Sequence, residues 1–250
     1  NAVNIALKKN FDILVARNDA NIAQINNTSG NAGMLPTVNV NSSGYYSYDN
    51  VYQKLSNGTT NKYSSRSNAS LAANTELSWT LFDGGKMFVT KNKLNEIQAL
   101  GELQFQVKVL ETMYNVIAAY YDIIRQKQQL NSINEAINYN KERVIIAQTG
   151  FDAGSLLKND LLQAKIDLNV MMENAINQQF IISEAQKTLN LILGEDPTVI
   201  FEVSDSIPLS YTPDRNELFQ KLNSSNASIL SFQKQIDIAR LSLKENQKAY

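Results

Sequence analysis

Residues 69–85 read ASLAANTELSWTLFDGG, an alternating run of residues that ends in a turn motif. Its side chains alternate between a mostly apolar and a mostly polar face, a pattern of period two that predicts a β-strand between two environments. The alternation continues for longer than the roughly 5 to 6 residues of a typical strand. The apolar face carries Ala69, Leu71, Ala73, Thr75, Leu77, Trp79 and Leu81, and the polar face carries Ser70, Ala72, Asn74, Glu76, Ser78 and Thr80.

A second alternating run precedes this strand, so residues 35–82 are predicted to form a β-hairpin with an exposed loop at about 53–67. A strand that crosses a membrane needs about 9 to 11 residues, one polar face, one apolar face and aromatic residues near both interfaces. The hairpin meets these requirements, with Tyr46, Tyr48 and Tyr52 near one end and Trp79 near the other. An amphipathic hairpin lying on a soluble core is the alternative. In a membrane the free edges would require strands from other copies or from a second repeat to close a barrel.

Glycine and proline divide the rest of the chain into helical segments at about 1–29, 86–148 and 156–193. The long segment would extend about 95 Å, and the first and third segments stacked end to end would nearly match it. Both long segments carry apolar residues at alternating spacings of three and four, the pattern of coiled-coil packing. The predicted seams are Leu100, Leu103, Val107, Leu110, Tyr114, Ile117, Tyr121 and Ile124 in the first helix and Leu161, Ala164, Leu168, Met171, Ala175, Gln178, Ile182, Ala185, Leu189 and Ile192 in the second.

A tight reversal at about 149–160 joins the two long helices. Gly150 and Gly154 can end the first helix, and Ser155 is predicted to be the N-cap of the second. These features alone fit an ordinary antiparallel hairpin in a soluble bundle equally well. After the second helix, residues 199–203 suggest a short strand within a connector at 195–213.

The composition excludes most kinds of metal site and nucleophilic catalysis. The chain has no Cys and no His, and its 23 Lys and Arg nearly balance its 24 Asp and Glu. Zinc, haem and thiol chemistry therefore lack their usual residues, and nucleic-acid binding lacks a basic surface. Since no apolar run approaches 18 residues, a helical membrane protein is excluded as well. We therefore expect no enzyme, no catalytic residue, no metal and no cofactor.

The chain also repeats itself. An offset of 216 residues aligns Asn10 with Asn226, Ile13 with Ile229 and Leu14 with Leu230. Residues 214–250 are therefore predicted to begin a second repeat, whose remaining strands and helical hairpin we expect to be missing from this sequence.

With these motifs in order, the sequence resembles the TolC-like outer-membrane efflux family along its whole length. The resemblance rests on the opening AVNIALKKNFDILVARND, on Leu35-Pro36, on LFDGG, on the tip ERVIIAQTGFDAGSLLKNDLLQAKIDL and on LNLILGEDP. It implies a mainly α fold in which long antiparallel coiled-coil helices form an α-barrel and each hairpin contributes strands to a trimeric transmembrane β-barrel. The implied function is a passive outer-membrane exit duct of a tripartite efflux or type I secretion system.

The resemblance also implies domains, partners and sites. Residues 1–34 would be the first periplasmic helix, 83–194 the α-hairpin of a periplasmic tunnel and 195–213 an equatorial connector. A homotrimer would contact outer-membrane lipid, a periplasmic adaptor and an inner-membrane transporter. The expected site residues are an adaptor-contacting tip of Gly150, Ala153, Gly154, Ser155, Leu156 and Asp160; a pore lining of Asn39, Asn41, Asn74, Glu76, Ser78 and Thr80; lipid-facing Leu71, Leu77, Trp79 and Leu81; and a barrel-to-tunnel turn of Asp83, Gly84 and Gly85.

Two other classes compete with the duct. A soluble periplasmic coiled-coil adaptor or scaffold would pack the hairpin on a small domain of its own and form no channel. A carboxylate-based hydrolase would need two acids converging in a pocket, whereas Glu111, Glu142 and Asp167 are predicted to lie on helix surfaces.

Overall fold

The computed structural model describes residues 2–203 and 214–248, which form long helices and one β-hairpin. These residues divide into two compact units, one from 2–24, 97–203 and 214–236, the other from 25–96 and 237–248. The mainly α fold with a β-hairpin is therefore as predicted. The elements in chain order are α1 (Ala2–Lys9), α2 (Phe11–Asn26), β1 (Thr37–Lys54), β2 (Thr60–Ser78), α3 (Lys86–Asp152), α4 (Lys158–Leu193), α5 (Arg215–Ser225) and α6 (Ala227–Lys248).

The hairpin of β1 and β2 is antiparallel and longer than predicted. Pairing runs from Thr37 opposite Ser78 to Lys54 opposite Thr60, with one register shift between Asp49 and Val51. The loop predicted at about 53–67 is wrong, because residues 60–67 belong to β2 and only 55–59 connect the strands. That segment is polar on both faces, so no alternation marks it as a strand. At its other end β2 stops at Ser78, earlier than the predicted 82.

In the first unit, α3 and α4 pack along the predicted seam of α4. Leu161, Ala164, Ala175, Gln178 and Leu189 are all buried, which confirms that seam. The buried polar residue of the seam is satisfied, since Gln178 Nε2 donates to the side-chain oxygen of Gln126 at 2.8 Å and to its carbonyl at 3.1 Å.

The predicted seam of α3 is wrong over its middle third. Leu110, Tyr114 and Ile117 are exposed, and the buried stripe runs along the neighbouring face. The buried stripe includes polar side chains, so the neighbouring stripe is the more apolar of the two and dominates the apolar periodicity of the helix. The buried residues are Thr112, Val116, Ile123, Ile124, Ile137, Asn140 and Ala147.

The predicted single N-terminal helix is broken at Asn10, where it meets the end of α4. Asn10 Nδ2 donates to the carbonyl of Ile192 at 2.7 Å, while its Oδ1 accepts from the Ile13 amide at 3.0 Å. Gly194 ends α4 with φ of 72°, and a Cβ there would lie 2.4 Å from the Lys9 carbonyl oxygen. The end-to-end stacking predicted for the N-terminal helix therefore occurs between α4 and α2, and α1 packs beside α4.

The two helices that meet at this junction, α2 and α4, both pack against α3. On α2, Asp12 forms an ion pair with Lys108 at 3.3 Å, and Arg17 stacks over the Phe105 ring. Gly101 of α3 lies so close to α2 that an added Cβ would be 3.2 Å from the Ala23 Cβ. One continuous helix thus faces two helices that meet end to end.

The connector predicted at 195–213 is described only as far as residue 203, and the short strand predicted within it is wrong. Residues 199–203 form no strand; instead Phe201 and Val203 pack on a core cluster with Ala6, Val116 and Leu193. The rest of the predicted connector, residues 204–213, lies outside the described residues. At its far side, α5 and α6 break at Asn226, the residue that the repeat aligns with Asn10.

Candidate functional site

The register of the hairpin places the predicted pore-lining residues on one face of the sheet. Asn39 lies opposite Glu76, Asn41 opposite Asn74, and Thr37 opposite Ser78. Because side chains alternate along a strand, these three pairs point to the same side. Thr80, the remaining predicted member, lies two residues beyond the end of β2. The hairpin therefore has one continuous polar face near its open end.

The opposite face is apolar and exposed. Val38 lies opposite Leu77, and Gly44 opposite Leu71. Leu71 is 82% exposed and Leu77 is 65% exposed. Of the other predicted lipid-facing residues, Trp79 and Leu81 follow β2 and are also exposed, and Trp79 donates its indole N–H to the Met34 carbonyl. Large apolar side chains grouped on one exposed face are typical of a surface that contacts something other than water.

The predicted turn at 83–85 begins α3 through local hydrogen bonds. Asp83 Oδ2 accepts from the Met87 amide at 2.8 Å, which satisfies a first-turn N–H of the helix. Gly84 and Gly85 have φ of 71° and 84°, a left-handed conformation that favours glycine. The residue types at this turn are therefore explained by backbone geometry.

The tip between α3 and α4 is closed by the carbonyl of Gly150. It accepts from the Ser155 amide at 2.8 Å, the Leu156 amide at 3.1 Å and the Ser155 hydroxyl at 3.0 Å. Gly150 also lies under Leu156, because an added Cβ would be 2.6 Å from Leu156 Cδ1. Gly154 has φ of 74° with open space around it.

The predicted N-cap role of Ser155 is wrong. Its hydroxyl bonds back to the end of α3, so α4 begins later, with Leu157 at the N-cap. Asp160 completes this start, because its Oδ2 accepts from the Leu157 amide at 3.0 Å. Leu157 is 72% exposed at the end of the hairpin and was missed by the sequence analysis, which sought polar capping residues.

The interior just behind the tip is well packed. Ala147, Leu161 and Ala164 form a buried cluster, and Arg143 of α3 bonds to Asp167 of α4 at 3.1 Å. The tip is therefore a defined structure with an exposed end, formed by Ala153, Gly154, Ser155, Leu156, Leu157 and Asp160.

The model of the family described as "Outer membrane efflux protein" matches residues 2–195 of the chain. The chain belongs to this family. The match includes the hairpin, the turn at 83–85, the long helices and the tip. It confirms the resemblance inferred from the sequence motifs.

Solved channels share the fold of this efflux-family chain. The outer membrane protein VceC of Vibrio cholerae superposes with a TM-score of 0.67 at 16% identity, covering 96% of this chain and 57% of its own. The CmeC outer membrane channel of Campylobacter jejuni gives 0.67 at 19% identity, covering 96% and 52%. The open state of the Neisseria gonorrhoeae MtrE channel gives 0.66 at 14% identity, covering 99% and 53%. The chain thus spans little more than half the length of these channels, and a comparison with curated proteins gave no match.

The efflux-family chain also contains an anchored helix start that the sequence analysis missed. In the second unit, Lys91 Nζ donates to the Asn27 carbonyl at 2.8 Å and to its side-chain oxygen at 2.6 Å. Glu245 of α6 accepts from Thr90 Oγ1 at 2.7 Å and pairs with Lys93. The hydrogen bonds from Lys93 and Thr90 hold the pKa of the Glu245 carboxyl below its usual value. No local motif could indicate partners that lie so far apart in sequence.

Within residues 2–203 and 214–248, no group of three or more Asp and Glu side chains is placed to hold a metal ion. Across the same described ranges, no helix combines the length and apolar character needed to cross a membrane.

Proposed function

We propose that this chain is part of a passive exit duct through the outer membrane. The duct carries substrates that an inner-membrane transporter and a periplasmic adaptor deliver, in tripartite efflux or type I secretion. The observation that carries the proposal is the two-faced hairpin, with paired polar residues on one side and exposed leucines on the other. Such a duct needs no catalysis.

The hairpin supplies the wall of the membrane pore. Backbone groups at a strand edge cannot remain unpaired in hydrocarbon, so two strands must join others to close a barrel. In a closed barrel the apolar face meets lipid and the polar face meets the lumen. This assigns Leu71, Leu77, Trp79 and Leu81 to lipid, and Asn39, Asn41, Asn74, Glu76, Ser78 and Thr80 to the pore.

The helices supply a wall that other copies complete. A helix in a closed ring contacts two neighbours and therefore needs two apolar seams. Beyond the buried seam, α3 exposes Leu110, Tyr114 and Ile117, and α4 exposes Ile176 and Phe180. α2 likewise exposes Phe11, Val15 and Ile22. These second seams support a homotrimer whose helices pack side by side as a periplasmic tunnel.

The tip supplies the contact with the adaptor. Its exposed end combines small residues with Leu156 and Leu157, and the packed cluster behind it holds this surface in place. A surface of small and apolar residues suits close packing against another helical hairpin. We assign the contact to Gly150, Ala153, Gly154, Ser155, Leu156 and Asp160, together with Leu157. Under this proposal residues 83–85 form the barrel-to-tunnel turn.

A charge on the apolar face tests the duct. Leu77→Arg should block outer-membrane assembly, because an arginine facing lipid is destabilising, by up to roughly 2 to 4 kcal/mol at the bilayer centre and by less toward the interfaces. Asn74→Arg, three residues away on the polar face, is the matched control and should assemble. Assembly is measured by fractionation of membranes and by trimer mobility in detergent.

The same experiment distinguishes the soluble alternative. Normal membrane assembly of Leu77→Arg would contradict the placement of Leu77 against lipid. A folded Leu77→Arg protein that is soluble without detergent would refute the duct and favour a soluble coiled-coil adaptor or scaffold. Equal failure of both variants would show that the hairpin tolerates arginine on neither face, and the assignment of its faces would then be wrong.

A further inference from the structure

The face of the hairpin assigned to lipid changes character toward the turn between the strands. Near the open end it carries Val38 opposite Leu77, and farther along β1 it carries Tyr46 and Tyr48, which are 69% and 61% exposed. At roughly 3.3 Å per residue along a strand tilted by about 40°, the stretch from Val38 to Tyr48 spans about 25 Å, the height of the apolar band of an outer-membrane barrel. Residues of this face beyond Tyr48 therefore reach the level of lipid headgroups.

The same face continues past the register shift of the hairpin. The extra residue of that shift belongs to β2, where Ser65 has a φ of 60° and its amide donates to Asn50 Oδ1 at 2.8 Å. Alternation along β1 is therefore unbroken, because a bulge displaces the side chains of the strand that contains it. Tyr52 and Lys54 consequently point to the same side as Tyr48.

Two lysines occupy this end of the face. Lys62 lies directly opposite Tyr52, and its Nζ is 5.3 Å from the centre of the Tyr52 ring. Lys54 follows on β1, opposite Thr60, and both lysines are exposed. An aromatic ring attracts an ammonium group without neutralising it, so the positive charge of Lys62 remains available to an anion.

No acidic residue of the hairpin balances these lysines on their own face. The sequence has no acid between Asp49 and Glu76, although the whole chain has 24 acidic residues to 23 basic ones. Asp49 and Glu76 themselves belong to the opposite, polar face. Within residues 2–203 and 214–248, neither Lys54 nor Lys62 forms an ion pair. The end of the lipid-facing side is therefore a cationic surface.

We propose that Lys54 and Lys62 bind the phosphate groups of anionic lipid headgroups at the outer surface of the membrane. The inference rests on the proposed function, in which residues 83–85 lead into the tunnel and the turn at 55–59 lies outside. An ammonium group binds phosphate as a point charge, and lysines near an anionic membrane surface strengthen attachment to it. Apolar residues, tyrosines and lysines then meet hydrocarbon, interface and headgroups in that order, which fixes the depth of the hairpin in the bilayer.

The unfolding temperature of the purified protein in detergent, titrated with a phosphorylated lipid, tests the proposal. Diphosphoryl lipid A should raise this temperature in a saturable way, because a ligand that binds only the folded state stabilises it. Lys54→Gln with Lys62→Gln should raise the lipid concentration that gives half of the shift about tenfold. Lys54→Arg with Lys62→Arg should keep the original concentration, since arginine also pairs with phosphate.

Gln53→Glu with Asn61→Glu is the matched control. These two residues form the cross-strand pair between the lysines, and they belong to the opposite face. The control changes the net charge by as much as the glutamine pair does, at the same level of the hairpin. It should change the half-shift concentration by less than about threefold, because solvent and salt screen charges on the far side of the sheet. A tenfold change in the control would overturn the assignment of the site to the lipid-facing side.

The remaining outcomes separate this inference from the duct itself. An unchanged half-shift concentration in the glutamine pair would overturn the role of the lysines and leave the duct intact. Equal stabilisation by lipid A stripped of its phosphates, or by inorganic phosphate alone, would overturn it too, because no phosphorylated headgroup would then be required. Weakening by the arginine pair as large as by the glutamine pair would show that charge is not what the lipid recognises. A folded protein that is soluble without detergent and unaffected by lipid would overturn the proposed function, and this inference with it.

Discussion

The helix pairs α1–α2 and α5–α6 break in the same way but differ in what covers them. The amide of Asn10 donates to the Ala6 carbonyl at 2.9 Å, and that of Asn226 donates to the Leu222 carbonyl at 3.2 Å. Each asparagine Oδ1 then accepts from the amide three residues later, at 3.0 Å and 3.1 Å. The break is thus set locally, by the asparagine and its own turn of helix.

Burial, in contrast, depends on the tertiary partner. Ala6 is 1% exposed in the core beside α4, whereas Leu222, which the offset of 216 residues aligns with Ala6, is 40% exposed. Val3 packs against the same core, whereas its counterpart Phe219 is 68% exposed. A helix break can therefore be encoded within a few residues, whereas the burial of α1 at the first break comes from its packing beside α4.

Gly194→Ala should have the largest effect on stability, because the added Cβ would lie against the backbone where α1 ends. The substitution combines a left-handed φ of 72° with a Cβ 2.4 Å from the Lys9 carbonyl oxygen. Strain and overlap together should lower the free energy of unfolding by about 3 kcal/mol. Thermal unfolding followed by circular dichroism measures this.

Gly33→Ala is the matched control, with φ of 79° and nothing within 4 Å of the added Cβ. It should cost only the backbone strain, about 1 kcal/mol. Equal losses in the two variants would mean that the contact between Gly194 and Lys9 contributes nothing.

Asn10→Ala and Asn226→Ala should differ by one hydrogen bond. Both lose the bond to the amide three residues later, which costs about 1 kcal/mol. Only Asn10 also loses a bond to α4, from its Nδ2 to the Ile192 carbonyl, and this should add about 1 kcal/mol. Denaturant unfolding of the two variants compares them, and identical midpoints would contradict a role for Asn10 in joining α2 to α4.

Phe219→Ser should have the smallest effect. Its side chain is mostly exposed, so the free energy of unfolding should change by no more than about 0.5 kcal/mol. Val3→Ser at the equivalent covered position should cost more, because Val3 packs against the core. The same denaturant titration measures both, and a loss at Phe219 as large as that at Val3 would show that α5 is as well covered as α1.

Several elements could be predicted from the sequence because one pattern dominated them. The seam of α4 and the two faces of the hairpin follow from regular spacing, and both occur in the structure. The seam of α3 failed because two stripes compete on that helix, and the buried one includes Thr112 and Asn140. The break at Asn10 was missed because it lacks glycine and proline, and a capping asparagine alone does not distinguish it from the many other asparagines of the chain.

The candidate site shows the same division. Alternation was sufficient to place Asn39, Asn74 and Glu76 on one face. The capping of α4 by Asp160 was missed because Ser155 offered a more usual N-cap residue type. The contacts of Glu245 with Thr90 and Lys93 join distant segments, which no sequence window contains.

The junction at Asn10 also bears on the order of folding. The tip closes between residues as near as Gly150 and Ser155, whereas Asn10 and Ile192 are separated by 182 positions. Closing a longer loop costs more chain entropy, and contacts between distant residues form more slowly. We therefore expect the α3–α4 hairpin to assemble first and to serve as the template on which α1 and α2 dock, so that these two helices, although synthesised before the hairpin, reach their final positions after it.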